Sequence, residues 1–311
     1  MKIVFFGSPD FARIILEKLL LWDGGEVQLV VTQSDKKAGR GQKVTSTPVK
    51  RLALEHNIEV IEPKNLKNDG IKARLRDVRA DLFIVVAYGL IIPGDVISIP
   101  TFGTVNVHAS LLPKYRGAAP IQWAILNGEK VTGVTIMQMD EGLDTGPILS
   151  QKALAIGIND TAKDLHDELA KLGGELLIGT LEKIKKGKII PIKQDDSCAS
   201  YAPKLSKDMG LINWKDSAIN IHNKIRALYP WPMAYFNFQG KKKSINVQIY
   251  PGKIGNELSR GVSPGEILGI RDGFLEIACM DRSYLVPKLK PESSKVLTAE
   301  QFVCGYLANK S

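Results

Sequence analysis

An amide and an imidazole stand close together in the first half of the chain, in a pattern that suits group-transfer chemistry. Asn106 and His108 lie in an apolar run, Gly103–His108, that predicts a β-strand. Because side chains alternate between the faces of a strand, these two side chains point to the same side. An amide N–H can stabilise a developing oxyanion and an imidazole can move a proton near neutral pH, which together favour acyl transfer. The alternative, a turn cap beside a structural histidine, stays open.

A carboxylate follows a second predicted strand. Asp144 lies in the turn after Val134–Met139, and it can reach and orient the His108 ring if the two strands are neighbours. Asp140 and Glu141 are rival carboxylates, and Asp144 could also be an ordinary turn residue between glycines. No serine or cysteine stands in a convincing nucleophile context, so the sequence predicts transfer without a covalent enzyme intermediate.

The elements around these residues predict an α/β domain. Strand-like and helix-like segments alternate in the first half, and Leu82–Ala87 is apolar throughout, as in a strand buried on both faces. The predicted fold is a Rossmann-like, open, mostly parallel sheet with helices on both faces. The first turn lacks Gly-x-Gly-x-x-Gly, so NAD is not expected. The other predicted elements are the strands Lys2–Gly7, Val27–Thr32, Gly103–His108 and Val134–Met139 and the helices Thr47–His56 and Thr161–Gly187.

A second domain is predicted at the C-terminal end. Its segments are short and separated by turn residues, with Asp272-Gly273 as a hairpin signal, which favours a small OB-like β-barrel. The predicted boundaries are 1–188 for the α/β domain, 189–207 for a linker and 208–311 for the barrel. His222 is expected on the surface of a helix, Ser217–Ala227. The predicted strands are Ala234–Phe238, Val247–Tyr250, Gly265–Ile270, Phe274–Cys279 and Ser283–Leu289.

Composition narrows the classes of function. The 311 residues carry a formal net charge of +9, and the stretch from Leu205 onward holds 15 Lys and Arg against 9 Asp and Glu. Such an excess favours a polyanionic partner such as nucleic acid, although a merely soluble basic protein has the same balance. The chain lacks a transmembrane-length apolar run and a signal-peptide pattern, its three cysteines are far apart and its four histidines show no metal-ligand spacing. We therefore expect a protein of the cytoplasm or an organelle matrix without a metal, membrane association or obligate protein partner.

Several motifs resemble the folate-dependent formyltransferases. The run Asn106–Gln122, the residues Thr132–Asp140 and the triplet Asp144-Thr145-Gly146 carry the resemblance around the site. Further matches, spread over nearly the whole chain, are Gly7–Ala12, Ala38–Gly41, Val85–Ile91, Tyr201–Ser206 and Ile225–Pro232. The resemblance implies formyl transfer from 10-formyltetrahydrofolate to an amine. The Ala38–Gly41 loop and the basic C-terminal domain imply that this amine belongs to methionyl-initiator-tRNA, for translation initiation.

The resemblance also implies a role for each matching residue. Asn106 and His108 would stabilise a tetrahedral oxyanion, and Asp144 would orient His108 and assist proton transfer. Folate contacts fall on two stretches, the second largely through its backbone: Ser110, Leu111, Leu112 and Pro113, and Ala87, Tyr88, Gly89, Leu90, Ile91 and Ile92. The tRNA-contacting loop falls on Gln33–Pro48, with Arg40 at the arginine position. Basic clusters that suit tRNA are Lys36, Lys37 and Lys43, and Lys241, Lys242 and Lys243.

Three other functions stay open on the sequence. A relative acting on a nucleotide sugar or small amine would share Asn106, His108 and Asp144 but would have no reason for the Arg40 loop. A formyl-folate hydrolase would turn over the donor without any acceptor. A non-catalytic RNA-binding protein would leave the three side chains unexplained.

Overall fold

A seven-stranded sheet is the framework of the first part of the chain. The computed structural model describes residues 1–38, 43–240 and 243–307, with side chains left out at 36–38, 43 and 44. Up to Ala202 the strands are β1 (Lys2–Gly7), β2 (Glu26–Val31), β3 (Lys36–Ala38), β4 (Lys43–Thr45), β5 (Glu59–Ile61), β6 (Leu82–Val86), β7 (Thr104–His108), β8 (Arg116–Gly117), β9 (Val131–Gln138), β10 (Ile148–Ala155) and β11 (Tyr201–Ala202). The helices in this range are α1 (Asp10–Leu20), α2 (Pro48–Glu55), α3 (Asp69–Asp77), α4 (Gly94–Ile97), α5 (Pro120–Leu126) and α6 (Ala162–Lys185).

The order of strands in this sheet is β10-β9-β7-β6-β1-β2-β5. The pairs among β5, β2, β1, β6 and β7 are parallel, whereas β9 is antiparallel to both β7 and β10. The prediction of an open, mostly parallel sheet is thus confirmed. Since β7 and β9 are direct neighbours, the loop that follows β9 can return over the side chains of β7.

The side chains of the central strands are buried in an apolar core. All of β6 is buried, as expected for a strand with helices on each side of the sheet. A core cluster joins β1, β2 and β6 to the segment after β6, with Phe6, Leu29, Phe83 and Val96 among its buried members. Each fully buried large apolar side chain contributes roughly 1.5–3 kcal/mol. This burial fixes the ends of the strands from which the site residues project.

Most predicted elements of the sheet agree with the structure to within three residues at each end. The sequence does not predict β5, β10 or the hairpin of β3 and β4. Strand β10 is an edge strand that leaves most of its residues partly or fully exposed, so its sequence lacks the apolar run that marks the central strands.

The chain divides into two compact units that interleave along the sequence, whereas the predicted domains are contiguous. The first unit comprises Met1–Pro120, Val131–Ala155 and His166–Ala202, and the second comprises Ile121–Lys130, Ile156–Leu165 and Pro203–Ser311. Part of the predicted linker belongs to the first unit, since β11 pairs in parallel with β8. Within the described ranges no helix is long and apolar enough to cross a membrane.

The second unit is built mainly from antiparallel strands. They form two four-stranded sheets, β12-β13-β18-β19 and β14-β17-β16-β15, around one apolar cluster. The predicted strand Ser283–Leu289 is two strands, because Pro287 separates them, and Lys253–Glu257 is a strand that the sequence does not predict. The strands are β12 (Ala234–Gln239), β13 (Ser244–Ile249), β14 (Lys253–Glu257), β15 (Ile267–Arg271), β16 (Phe274–Ala278), β17 (Arg282–Val286), β18 (Lys288–Pro291) and β19 (Leu297–Thr298), and the helices are α7 (Ala218–Ala227) and α8 (Ala299–Phe302).

His222 is buried, and the expectation of a surface histidine on this helix is wrong. It lies on α7 with 2% of its surface exposed. Its Nε2 donates to the carbonyl of Ile158 at 2.8 Å, and Nδ1 lies 3.2 Å from the Tyr284 hydroxyl. Burial lowers the pKa of His222, so the neutral ring is favoured in this setting.

Candidate active site

The predicted amide and imidazole emerge from the same face of β7. Val105 and Val107 are 1% and 3% exposed on the other face, while Asn106 is half-buried and His108 is 6% exposed. The two-residue period of the strand therefore places Asn106 and His108 side by side.

Asp144 reaches both side chains from the loop between β9 and β10. Its Oδ1 accepts a hydrogen bond from Nδ2 of Asn106 at 3.4 Å, and its Oδ2 lies 3.6 Å from Nδ1 of His108. The backbone N–H of Gly117 donates to the same Oδ2 at 2.7 Å. Asp144 has a φ of +54°, a left-handed conformation that aspartate tolerates better than most residues. The structure thus brings the three predicted catalytic side chains together.

The orientation of the His108 ring is set by a backbone carbonyl. Nε2 of His108 lies 2.9 Å from the carbonyl oxygen of Tyr115. Since a carbonyl only accepts hydrogen bonds, Nε2 carries a hydrogen. Nδ1, on the side of Asp144, is therefore the nitrogen that can gain or lose a proton without breaking this bond.

The rival groups have other partners. Oδ1 of Asp140 accepts from the Gly142 N–H and the Thr145 hydroxyl within its own turn. Glu141 is exposed, and the hydroxyl of Ser110 is buried and donates to the carbonyl of Lys114. None of these contacts involves the His108 ring, so the geometry selects Asp144 among the candidate carboxylates.

Side chains of β9 and β10 form hydrogen bonds with the backbone of the first predicted folate stretch, Ser110–Pro113. Thr135 on β9 donates to the carbonyl of Ser110 at 2.7 Å and accepts from the N–H of Leu112 at 3.1 Å. Gln151 donates to the carbonyl of Leu112 at 2.7 Å. The side chain of Leu112 lies in a small apolar cluster, so this stretch faces outward mainly through Leu111, Pro113 and its backbone.

The second predicted folate stretch, Ala87–Ile92, is exposed except for two buried side chains. Tyr88 and Ile92 are 2% and 8% exposed, whereas Leu90 and Ile91 are 37% and 89% exposed. The carbonyl of Tyr88 accepts from the Gln33 amide at 2.7 Å. The Tyr88 hydroxyl has no hydrogen-bond partner within the described ranges, and burial raises its pKa to about 12.

The predicted tRNA contacts lie mostly where the structure gives no side chains. Arg40, Lys241 and Lys242 lie outside the described residues, and only the backbones of Lys36, Lys37 and Lys43 are described, on β3 and β4. Lys243 is exposed next to β13. The three predicted catalytic side chains therefore lie together, whereas the tRNA contacts stay predictions.

A cluster of charges holds the base of the predicted tRNA-contacting loop. Nζ of Lys50 lies 3.0 Å from Asp35 and 2.7 Å from Glu62, and the Ser46 hydroxyl donates to Asp35 at 3.1 Å. The hydrogen bond from Lys50 is the main cause that lowers the pKa of Asp35, and the hydrogen bond to Glu62 raises the pKa of Lys50. Sequence reasoning does not find this cluster, because its members are scattered along the chain.

Two buried residues next to the site carry no predicted role. Arg116 and Gln194 are 2% and 5% exposed and contact each other, and Gln194 also contacts the loop that carries Asp144. Arg116 is part of the motif that resembles the formyltransferases, but Gln194 lies in a polar stretch without periodicity.

As for metals, no cluster of three or more His, Cys, Asp or Glu side chains suited to an ion occurs among the residues that the structure describes.

Comparison with other sequences matches both parts of the chain. Residues 1–181 match a family model described as formyl transferase, and residues 204–307 match one described as formyl transferase, C-terminal domain. A methionyl-tRNA formyltransferase from Nitratidesulfovibrio vulgaris strain DP4 is 50% identical over 309 residues, which cover 99% of this chain and 94% of that protein. A methionyl-tRNA formyltransferase from Caldanaerobacter subterraneus subsp. tengcongensis is 44% identical over 307 residues, covering 98% of this chain and 97% of that protein.

Solved structures with the same fold include other formyltransferases. An N-formyltransferase from Helicobacter canadensis, in complex with folinic acid and dTDP-3-aminofucose, has a TM-score of 0.68 at 23% identity and covers 92% of this chain and 98% of that one. HypX from Aquifex aeolicus, in complex with tetrahydrofolic acid, has a TM-score of 0.65 at 19% identity and covers 97% of this chain and 47% of that one. At these identities the likeness shows a shared fold.

Proposed function

The chain belongs to the formyltransferase family, among the methionyl-tRNA formyltransferases, and we propose that it transfers a formyl group from 10-formyltetrahydrofolate to the α-amine of methionyl-initiator-tRNA. The observation that carries the proposal is the convergence of Asn106, His108 and Asp144, with the carboxylate 3.4 Å from the amide and 3.6 Å from the imidazole. The choice of charged tRNA as the acceptor is supported by two relatives that are named methionyl-tRNA formyltransferase. They are 50% and 44% identical to this chain over nearly its full length.

The donor is supported by the shape of the two predicted folate stretches. Ala87 and the run Gly89–Ile91 are exposed, while Tyr88 and Ile92 are buried, so we infer that this loop can offer backbone N–H and C=O groups to a ligand. Such groups are what a planar, hydrogen-bonding ring system requires of a small-molecule site. The two fold neighbours described above are complexes that contain folate compounds. When bound, the donor supplies the carbon that is attacked and the nitrogen that leaves.

Asn106 and His108 stabilise the negative charge that develops on the formyl oxygen. Nδ2 of Asn106 has two hydrogens, of which one is directed to Asp144 and the other can serve the oxyanion. Nδ1 of His108 becomes the second donor when the ring takes up a proton there, because Nε2 already donates to the Tyr115 carbonyl. Donors fixed in this way before the reaction are usually the largest single electrostatic contribution to acyl transfer.

Asp144 faces Nδ1 of His108 and assists the transfer of the proton that the amine must lose. An α-amino group has a pKa of about 7.7–8.0, so a useful fraction is neutral at cellular pH and needs little activation. Since Nε2 of His108 is committed to Tyr115, the proton moves on the side where Nδ1 and the carboxylate of Asp144 face each other. It ends on the donor nitrogen whose bond to the formyl carbon breaks, so that tetrahydrofolate leaves in its neutral amine form. The transfer needs no covalent enzyme intermediate.

Basic residues hold the acceptor tRNA. The proposed location of the enzyme is the cytoplasm. The Gln33–Pro48 loop with Arg40, and the lysines at 36, 37, 43 and 241–243, are the proposed contacts with its phosphates. Such contacts release counterions, so affinity for tRNA falls as salt rises. The charge cluster of Lys50, Asp35 and Glu62 supports this role because it anchors the base of the loop.

Labelled 10-formyltetrahydrofolate offered with different acceptors tests the proposal. We expect label in charged initiator tRNA, little in charged elongator methionyl-tRNA and none in an amino sugar nucleotide. Loss of label from the donor at the same rate without an acceptor would instead identify a hydrolase. Preferential labelling of the amino sugar nucleotide would identify a sugar formyltransferase, and either result would overturn the proposal.

A further inference from the structure

We propose that Gln194 is a positioning residue that holds the Asp144 carboxylate in register with His108 through the backbone of the Asp144 loop. The proposal rests on the proposed function, because it assigns Gln194 to the same reaction.

The amide of Gln194 bridges two carbonyls of this loop. Its Nε2 donates to the carbonyl oxygens of Asp144 and Gly146, each at 2.8 Å. These carbonyls lie on either side of Thr145, so one side chain clamps the turn in which Asp144 adopts its positive φ. Aspartate tolerates this conformation better than most residues, and contacts such as these fix it in place.

Arg116 determines which way the Gln194 amide faces. Oε1 of Gln194 accepts from Nε and Nη2 of Arg116 at 3.1 and 2.8 Å. Because a guanidinium only donates and a carbonyl only accepts, the two ends of the amide cannot exchange places. Nη2 of Arg116 also donates to Asp196 at 2.8 Å, which gives the buried guanidinium a countercharge.

Strand β8 therefore positions Asp144 through two separate contacts. The Arg116 side chain acts on its backbone through Gln194, and the N–H of the next residue, Gly117, donates to its Oδ2 at 2.7 Å. A displacement of about 1 Å at a reacting group can cost about 100-fold in rate. Loss of the Gln194 clamp is thus expected to lower the rate of transfer rather than the binding of either substrate.

Gln194→Glu is the direct test, since it keeps the size of the side chain and removes both donors to the loop. We expect kcat for formylation of charged tRNA to fall about 10–100-fold, with KM for donor and acceptor close to the wild-type values. Gln28→Glu makes the same chemical change on β2, outside these loops, and is expected to keep wild-type kinetics.

A double-mutant cycle with Asp144→Asn separates positioning from a general structural role. Asparagine tolerates a positive φ and keeps the carbonyl that Gln194 holds, but it lacks the charge. If Gln194 acts through the carboxylate, Gln194→Glu adds little further loss to Asp144→Asn, because residues that act as a unit are not additive. Losses that multiply, or a wild-type kcat in Gln194→Glu, would overturn the proposal.

A second variant covers the case in which Gln194→Glu does not fold. Arg116→Lys keeps the positive charge but loses the forked contact with Oε1, and it is expected to behave in the same way in the same cycle. Formyl transfer to charged tRNA by the wild-type enzyme is measured first. If the wild-type enzyme shows no transfer, the proposed function is contradicted. If it shows transfer but the losses in kcat of the single variants multiply in the double variant, only the role of Gln194 is contradicted.

Discussion

The carboxylate of Asp144 is anchored by the backbone N–H of Gly117, which donates to Oδ2 at 2.7 Å, while Nδ1 of His108 lies 3.6 Å from the same oxygen. The first distance is a good hydrogen bond, and the second is beyond the usual 2.7–3.2 Å range. The Asp144 carboxylate is therefore held by a hydrogen bond that does not involve the His108 ring. A carboxylate held in this way can stabilise a protonated His108 when one forms and stay in place when it is lost.

Replacing Gly117 should disturb this anchor. Gly117 has a φ of +118°, and a Cβ there would lie 2.9 Å from the carbonyl oxygen of Ala202. We expect Gly117→Ala to lower the free energy of unfolding by about 1–3 kcal/mol and to reduce kcat, as followed by chemical denaturation and formyl transfer. Gly179→Ala is the matched control, because Gly179 lies in α6 with no atom near the added methyl. That change should raise stability by about 0.4–1 kcal/mol and leave kcat unaltered. Equal effects of the two substitutions would contradict the anchor.

Removing the side-chain amide of Asn106 should slow the reaction without unfolding the protein. Asn106→Ala loses a proposed oxyanion donor, and such losses typically cost about 100- to 1,000-fold in kcat. Steady-state kinetics on charged initiator tRNA measures the effect, with thermal unfolding as the check on folding. Asn220→Ala, at an exposed position of α7, should show wild-type rates. A rate for Asn106→Ala equal to that of this control would remove Asn106 from the mechanism.

The buried hydroxyl of Tyr88 should be dispensable. It has no partner within the described ranges, and a buried polar group left unsatisfied costs about 1–3 kcal/mol. Tyr88→Phe is therefore expected to leave the free energy of unfolding unchanged or to raise it, as measured by denaturant titration. Donor affinity should stay the same if the Ala87–Ile92 loop binds folate through its backbone. Weaker folate binding in this variant would show that the hydroxyl, not the backbone, makes the contact.

Burial of His222 should make the second unit sensitive to acid. Its folded-state pKa is lowered by burial, so the unfolded chain binds the proton more readily. The contribution of this histidine to stability is complete above about pH 6.5 and is lost progressively as the pH falls below that value. In His222→Gln the fall in unfolding free energy between neutral pH and pH 5 should be smaller than in the wild type. His56→Gln, exposed at the end of α2, should keep the wild-type slope, and a similar slope in both variants would contradict the assignment.

The sequence predicts the central sheet well because its strands are buried. Continuous apolar runs such as Leu82–Val86 and a two-residue alternation in β7 follow directly from which faces are covered. The same alternation is enough to place Asn106 and His108 together. Strand β10 escapes prediction because an edge strand has no such requirement.

The contacts that complete the site leave no periodic signal. Gln194 contacts Asp144 from 50 residues away in sequence. It lies in the predicted linker, 189–207, whose only strand, β11, has two residues. Pairing of this kind depends on individual backbone groups, so the stretch reads as a polar linker. His222 is mistaken for a surface residue for a related reason. Helix α7 buries residues around most of its circumference, including Asn223 and Arg226, so its polar side chains do not mark a solvent face.

The most direct test of the proposed mechanism is the rate of formyl transfer from 10-formyltetrahydrofolate to charged initiator tRNA in Asp144→Asn, with both substrates saturating. The variant keeps the size of the side chain and the positive φ of the backbone but removes the charge that faces His108. We expect a kcat at least about 100-fold below the wild type, with an unchanged unfolding transition and unchanged donor binding. A folded Asp144→Asn enzyme that formylates charged initiator tRNA at the wild-type rate would contradict it.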